Sequence, residues 1–162
     1  LGIITPEVHA LRDQFGFPGM RVLQFSFGTG LNADKYRPYN YPRDSVVYTG
    51  THDNNTTVGW FRGEDVKDST QSKQEREKEK QVALNYLGTD GHEINWDFIR
   101  LALMSAADTA IIPMQDILGL GSEARMNLPG RAEGNWRWRF IPDTLTEGIK
   151  ARLKKLTALS GR

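Results

Sequence analysis

The cluster His52-Asp53-Asn54 is the sharpest grouping of chemistry-bearing side chains in the sequence. It follows the apolar run Val46-Val47-Tyr48-Thr49-Gly50-Thr51, so its polar groups are expected at the end of a strand, facing a pocket. A carboxylate placed there stabilises positive charge, accepts hydrogen bonds from hydroxyls, or acts as an acid or base. The competing structural reading is an Asp-Asn turn that caps the next helix. Other constellations carry less. His9, His52 and His92 lack the spacing of a ligand set, so no metal site is expected. No G-x-S-x-G elbow occurs. Gly28-Thr29-Gly30 lacks the third glycine and the helix of a dinucleotide fingerprint.

Sugars offer flat C–H faces and a rim of hydroxyls, so a sugar site needs stacking rings beside amides, carboxylates and guanidinium groups. Phe25, Tyr36, Tyr39, Asn40, Tyr41, Asn54, Gln115, Asp116, Asn127, Trp136 and Trp138 supply both kinds, mostly after strand-like runs. A single aromatic is more often core than site, so the weight lies in the grouping. The Trp-Arg alternation from Trp136 to Arg139 would also suit single-stranded nucleic acid. The formal net charge of +1 supplies no field for such a partner or for an anionic membrane, and neither is expected.

These residues need elements to hold them. Pro6 to Phe15 reads as a helix capped by Thr5 and ended by Gly16. Arg21 to Phe27 and Val46 to Thr51 read as strands, separated by an ordered, aromatic-rich loop from Gly28 to Arg43. A helical turn follows over Thr56 to Phe61. A long helix spans Lys67 to Leu87, its charged middle being a solvated face, and Gly88 stops it. Asn95 to Ala107 is an amphipathic helix and Thr109 to Met114 a third strand. Gln115 to Gly134 is a long loop, Asn135 to Phe140 is extended, and Asp143 caps a last helix running to Leu159. Strands alternating with helical stretches predict parallel β/α units, with polar loops at the end where such folds place chemistry. Three strands make a small open α/β sheet, or a slice of a barrel whose other strands lie elsewhere.

The 162 residues are 38% hydrophobic and 25% charged, enough for one domain with a core. Cysteine is absent, which excludes disulfides, thiol nucleophiles and cysteine metal sites, and fits a reducing compartment. No apolar run approaches the roughly 20 residues of a membrane span, and the first residues do not read as a signal peptide. The opening Leu1-Gly2-Ile3-Ile4-Thr5-Pro6 reads as the middle of something longer.

Several segments together resemble the amylomaltase family of 4-α-glucanotransferases. They are Phe17 to Phe25, Tyr39-Asn40-Tyr41-Pro42, Val47 to Asn54, Gly119-Leu120-Gly121-Ser122-Glu123-Ala124-Arg125-Met126-Asn127-Leu128-Pro129-Gly130, and the Trp-rich Asn135 to Phe140. The resemblance runs from Leu1 to about Phe140. It implies the C-terminal part, about strands six to eight, of a (β/α)8 barrel of the α-amylase clan type. Residues 1–162 would all belong to one catalytic domain, without a separate second domain. It further implies retaining transfer of α-1,4-glucan segments to glucose or maltooligosaccharide acceptors, with no cofactor. Asp53 matches the third catalytic carboxylate, which favours the oxocarbenium-like transition state. His52, Asn54, Asn127 and Phe25 match substrate-binding positions, Phe25 on the acceptor side. A cytoplasmic location follows, or a plastid-like compartment if the source is a plant.

The departures matter as well. The family's acid/base Glu lies in a Glu-Asp-Leu-Gly segment, and this chain starts at Leu1-Gly2. The acid/base and the nucleophile Asp are therefore expected upstream. Where some relatives carry acidic residues after the Phe25 strand, this chain has Gly28-Thr29-Gly30. Two other readings stand beside the transferase: a maltooligosaccharide-binding protein without catalysis, and an amylase-type hydrolase. Unpaired strand edges would leave the isolated chain marginal, so a missing part of the barrel or self-association is expected to cover them. These residues alone are expected to be inactive. Disproportionation of maltotriose, run beside the full-length gene product, checks this: turnover by the short chain would place an essential carboxylate, such as Glu123 or Asp116, within it.

Overall fold

Three short parallel strands, β1 (Gly19–Val22), β2 (Ser45–Tyr48) and β3 (Thr109–Ile111), lie side by side in chain order. Gly19 pairs with Ser45, and Val46 pairs with Thr109. Sequential parallel neighbours are as the alternation of elements predicts, though among the described residues β1 and β2 are joined through 3-10 turns rather than an α-helix. The computed structural model describes residues 4–30, 33–64 and 72–162. Residues 1–3, and residues 67–71 of the helix expected from Lys67, lie outside these.

Helix α1 (Pro6–Gln14) precedes β1, and α2 (Thr57–Arg62), α3 (Lys73–Leu87) and α4 (Ile94–Met104) separate β2 from β3. The short α5 (Met114–Ile117) follows β3, and α6 (Glu147–Leu159) closes the chain. Helix α4 is the spine of the packing because two of its faces are buried. Ile94, Phe98 and Ala102 join Leu23, Phe27, Val47 and Val58 in one core. Trp96, Ile99 and Leu103 join Ile117 in another, onto which α6 lays Ile149, Leu153 and Leu156. Each large apolar side chain so buried contributes about 1.5–3 kcal/mol relative to exposure. Phe27, Trp60 and Phe98 pack ring to ring, with centroids 5.4 to 6.3 Å apart.

The elements depart from the sequence pattern at their ends, each time because side chains offer the backbone another partner or a proline withholds one. The strand expected over Arg21 to Phe27 stops at Val22, and Leu23–Phe25 forms a 3-10 turn. There the Gln24 amide donates to Asn55 O (2.8 Å), and Ser26 Oγ bonds Val22 O and Tyr41 Oη. The second strand ends at Tyr48 rather than Thr51, because Asn54 Oδ1 takes the Thr51 N–H at 2.9 Å. The third ends at Ile111, ahead of Pro113, which has no N–H for a ladder. Asn135 to Phe140 is not a strand: Arg139 bonds the carbonyls of Trp136 and Trp138 and folds the segment on itself. Helix α4 stops at Met104, short of Ala107, where Ser105 turns extended.

Caps moved too. The Thr5 side chain makes no capping bond to the α1 backbone, and α6 is capped by Thr146, whose Oγ1 accepts from Ile149 N, not by Asp143. Ser72 and Glu75 form a reciprocal capping box on α3, whose exposed charged face is as expected. Arg162 ties down the far end of α6. Its guanidinium donates to the carbonyls of Leu103, Ser105, Ala107 and Asp108, at and just beyond the end of α4, where carbonyls lack helical partners. Helix α1 buries no residue, and Val8, Leu11, Phe15 and Phe17 stand exposed beside β1.

Asp116 fastens β2 to α5. It is 1% exposed; Oδ2 accepts from Thr49 Oγ1 at 2.5 Å, and Oδ1 accepts the N–H of Thr57, the first residue of α2, at 2.7 Å. Burial pushes the carboxyl above its ordinary range, against the Thr49 and Thr57 donors, which pull it down. Two outcomes follow for the full-length protein. Asp116→Ala strands the Thr57 N–H and is expected to cost about 1–3 kcal/mol on thermal or urea unfolding, whereas Asp116→Asn keeps that acceptor and is expected to cost less. A carboxyl with a raised folded pKa stabilises most below its ordinary range and loses that contribution as pH rises through the raised value. The melting temperature of the parent is therefore expected to fall relative to Asp116→Asn as pH rises from about 4, and a flat difference would contradict it.

Candidate active site

The site is assembled from two loops that leave the C-terminal ends of β2 and β3. The β2 loop begins at Thr49, passes Gly50 and turns at His52-Asp53-Asn54. Gly50 is needed where it is: a Cβ there would lie 2.7 Å from Gln24 Nε2, the amide that anchors the loop through Asn55 O. Asn54 closes the turn by accepting from both the N–H and the hydroxyl of Thr51 (2.9 and 2.7 Å). The helix-cap role belongs instead to Thr56, whose Oγ1 accepts from Gly59 N at 3.1 Å. Asp53 is thus not spent on capping α2.

Asp53 is held from the β3 side. Asn127 Nδ2 donates to its Oδ1 at 2.6 Å, and His52 Nε2 stands 3.3 Å from the same oxygen. Arg125 donates to the Asp53 carbonyl (2.7 Å) and to the Asn127 carbonyl (2.9 Å), and Asn127 N donates to His52 O (3.0 Å). One carboxylate oxygen is therefore fixed across 74 residues of sequence by an amide on a different strand-end loop. Oδ2 has no protein partner among the described residues, and the side chain is 39% exposed, so it is open to a hydroxyl-bearing ligand. Beneath it, Asn55 Nδ2 donates to Ser122 Oγ at 2.7 Å and ties the two loops together a second time. Ser122 N donates to Glu64 (2.9 Å), and this N–H with the Ser122 hydroxyl holds the Glu64 carboxyl below its ordinary range.

A cleft of about 150 Å³ opens beside the pair, walled by Gly50, His52, Asn54, Gln115, Arg125 and Trp136 among others. Of the residues expected at a site, His52, Asp53 and Asn127 come together, and Asn54 serves their turn while lining the cleft. Phe25 sits apart, 59% exposed on the turn after β1, and does not wall the cleft. Asp116 is buried with its oxygens taken by Thr49 and Thr57, and Glu123 accepts the Gly121 N–H through one oxygen; neither stands as an open carboxylate beside His52 in the way that Asp53 does. Arg125 was not expected as a site residue. Its position two before Asn127 was the available signal, but its bonds to two carbonyls depend on a loop path that no spacing reveals. A larger concavity of about 800 Å³ lies at the other end of the sheet, lined by Arg43, Asp108, Thr109 and Arg162. It adjoins the residues that lead into β2 and β3, the end where β/α folds do not place chemistry.

Several known proteins that match this chain are named as 4-alpha-glucanotransferases or amylomaltases. The family profile described as 4-alpha-glucanotransferase matches residues 1–144. A 4-alpha-glucanotransferase of Synechocystis sp. is 53% identical over 165 residues, covering 100% of this chain and 30% of that protein. The chloroplastic/amyloplastic 4-alpha-glucanotransferase of Arabidopsis thaliana is 46% identical, with 100% of this chain and 27% of that protein covered. Among solved structures, the amylomaltase of Streptococcus agalactiae in complex with acarbose superposes with a TM-score of 0.85 at 33% identity, over 100% of this chain and 31% of its own. The chain thus spans about 30% of the length of such relatives. Its parallel α/β sheet matches part of an amylomaltase, and the reading as a non-catalytic binding protein finds no support among these relatives. With its profile covering residues 1–144 of 162, the chain belongs to the 4-alpha-glucanotransferase family.

Proposed function

We propose that this chain supplies the transition-state-binding side of a retaining 4-α-glucanotransferase acting on α-1,4-glucans and maltooligosaccharides. The observation that carries the reading is the Asn127–Asp53 bond of 2.6 Å, which orients a half-exposed carboxylate at the C-terminal rim of a parallel sheet. Asp53, with His52 beside it, takes hydroxyls of the sugar that flattens toward the oxocarbenium-like state. Asn127 fixes the carboxylate and lies within reach of the same sugar, and Asn54 shapes the turn. Phe25 offers an exposed ring to the acceptor. The nucleophile and the acid/base come from outside these residues. In the full protein the nucleophile attacks the anomeric carbon while the acid protonates the leaving oxygen. An acceptor hydroxyl then displaces the enzyme carboxylate and gives up its proton to the same acid/base group.

The three strands are strands six to eight of a (β/α)8 barrel, and residues 1–162 are one segment of its single catalytic domain. Sequential parallel order supports this, as do the two sheet edges and the exposed apolar face of α1, which the rest of such a barrel would cover. Cofactors, nucleic acid and membranes have no part in the reaction. No helix among the described residues is long and apolar enough to cross a membrane. The cytoplasm, or a plastid-like compartment in a plant, is the place of action, in keeping with the chloroplastic/amyloplastic relative.

Two variants of the full-length protein test the assignment on maltotriose. Asp53→Asn is expected to lower kcat by about 10²–10³-fold, the range for loss of one preorganised electrostatic group. Turnover within about threefold of the parent would remove Asp53 from the mechanism. Asn127→Ala is expected to lower kcat/KM by about 10–100-fold, as for loss of a hydrogen bond to a charged group. Product analysis separates transfer from hydrolysis: longer and shorter glucans with no net loss of linkages are expected, whereas accumulation of glucose and maltose with loss of linkages would mark a hydrolase.

A further inference from the structure

Trp136 is the one described residue other than glycine whose backbone lies in the left-handed region, at φ 60°. A bulky L-residue is strained there, and glycine is not. Outliers of this kind persist where the surrounding structure imposes them, and they gather at functional sites. Here the imposing contacts are visible. Trp136 N donates to Met126 O at 2.7 Å, and the Trp136 carbonyl accepts from Arg139 at 2.8 Å. Asn135 Oδ1 accepts from Leu128 N at 2.9 Å, so the segment closes onto the loop that carries Asn127.

Burial does not offset the strain, because the side chain is an exposed one, with 54% of the residue open to solvent. The ring instead packs on His52, with centroids 5.1 Å apart and planes at 35°, and both residues wall the cleft. His52 is itself about half exposed and has its Nε2 3.3 Å from Asp53 Oδ1. Without a neighbour an imidazole in that setting would sample several rotamers.

We infer that Trp136 is a positioning residue for the reaction: its strained backbone presents the indole to His52 and fixes the imidazole beside Asp53. It acts through His52 and is not itself catalytic. The inference rests on the reading of Asp53 and His52 as the sugar-binding pair.

The test uses Trp136→Gly and Trp136→Phe in the full-length protein, with three readouts: melting temperature, kcat and KM on maltotriose, and the His52 ring signals by NMR. Glycine relieves the strain, so its melting temperature is expected to stay level or rise. Its kcat is expected to fall about tenfold or more, with the His52 signals shifted as the indole ring current is lost. Phenylalanine restores a ring and is expected to keep kcat within about threefold. A glycine variant that melts lower with kcat unchanged would reduce Trp136 to a structural role and overturn the inference. Loss of kcat with His52 signals unmoved would overturn it as well. Failure of the underlying functional reading looks different: the parent itself would not rearrange maltotriose, while the melting and NMR readouts would still report on the contact.

Discussion

Asp116 is the constraint on which the site geometry depends. A carboxyl this deeply buried is unfavourable unless its oxygens are occupied, and the fold occupies them with groups from two different places. Thr49 lies just past the end of β2, and Thr57 opens α2, so one side chain from α5 fixes both ends of the segment that contains His52, Asp53 and Asn54. The intervening residues are left to turn outward. Asn95 adds a bond from α4 to the Asp116 carbonyl at 2.9 Å, which connects this anchor to the helix that organises both cores. The polar interior and the apolar interior are thereby joined at one residue.

Above this anchor, amides join most of the strand ends. Gln24 reaches from the β1 turn to Asn55, Asn55 reaches to Ser122, and Asn127 reaches back to Asp53. Amides suit the task because each offers both a donor and an acceptor. They also add no further charge beside the Asp53 carboxylate. Arg125 supplies a cationic clamp, and its bonds to Asp53 and Asn127 are directed to backbone carbonyls. At the opposite end of the sheet a guanidinium is again used on carbonyls, those that finish α4.

The parallel α/β arrangement and the grouping at the centre of the candidate site were legible in the sequence; most element ends and the support were not. Apolar runs followed by polar loops identified all three strands and their parallel arrangement, because hydrophobic period and glycine punctuation are local signals. Asp53 stands out where an apolar run gives way to polar residues and Asn127 among amides suited to sugars, the resemblance implies their roles, and their bond requires the loops to fold back on each other. The end of β3 at Ile111 follows from Pro113, a signal the sequence does carry, whereas the other strands end early at Val22 and Tyr48 because bonds of Gln24 and Asn54, which depend on the loop path, draw the backbone away. Arg125 and the strained backbone of Trp136 escaped notice for the same reason: their roles are defined by contacts with Asp53 and His52, which lie far back along the chain.

The Asn127–Asp53 bond has an evolutionary reading. A carboxylate whose pose is set by its own turn changes only when that turn changes, and the turn is also the site. Here the pose is delegated to a remote loop, from Gly119 to Gly134, which lies largely near the surface at its far end and is tied to the β2 turn through Ser122, Arg125 and Asn127. Substitutions in that loop would rotate or shift the carboxylate while leaving the side chains of the β2 turn themselves unchanged. For the glucan site proposed above, selection acting on that loop would then adjust the pose separately from the residues of the turn.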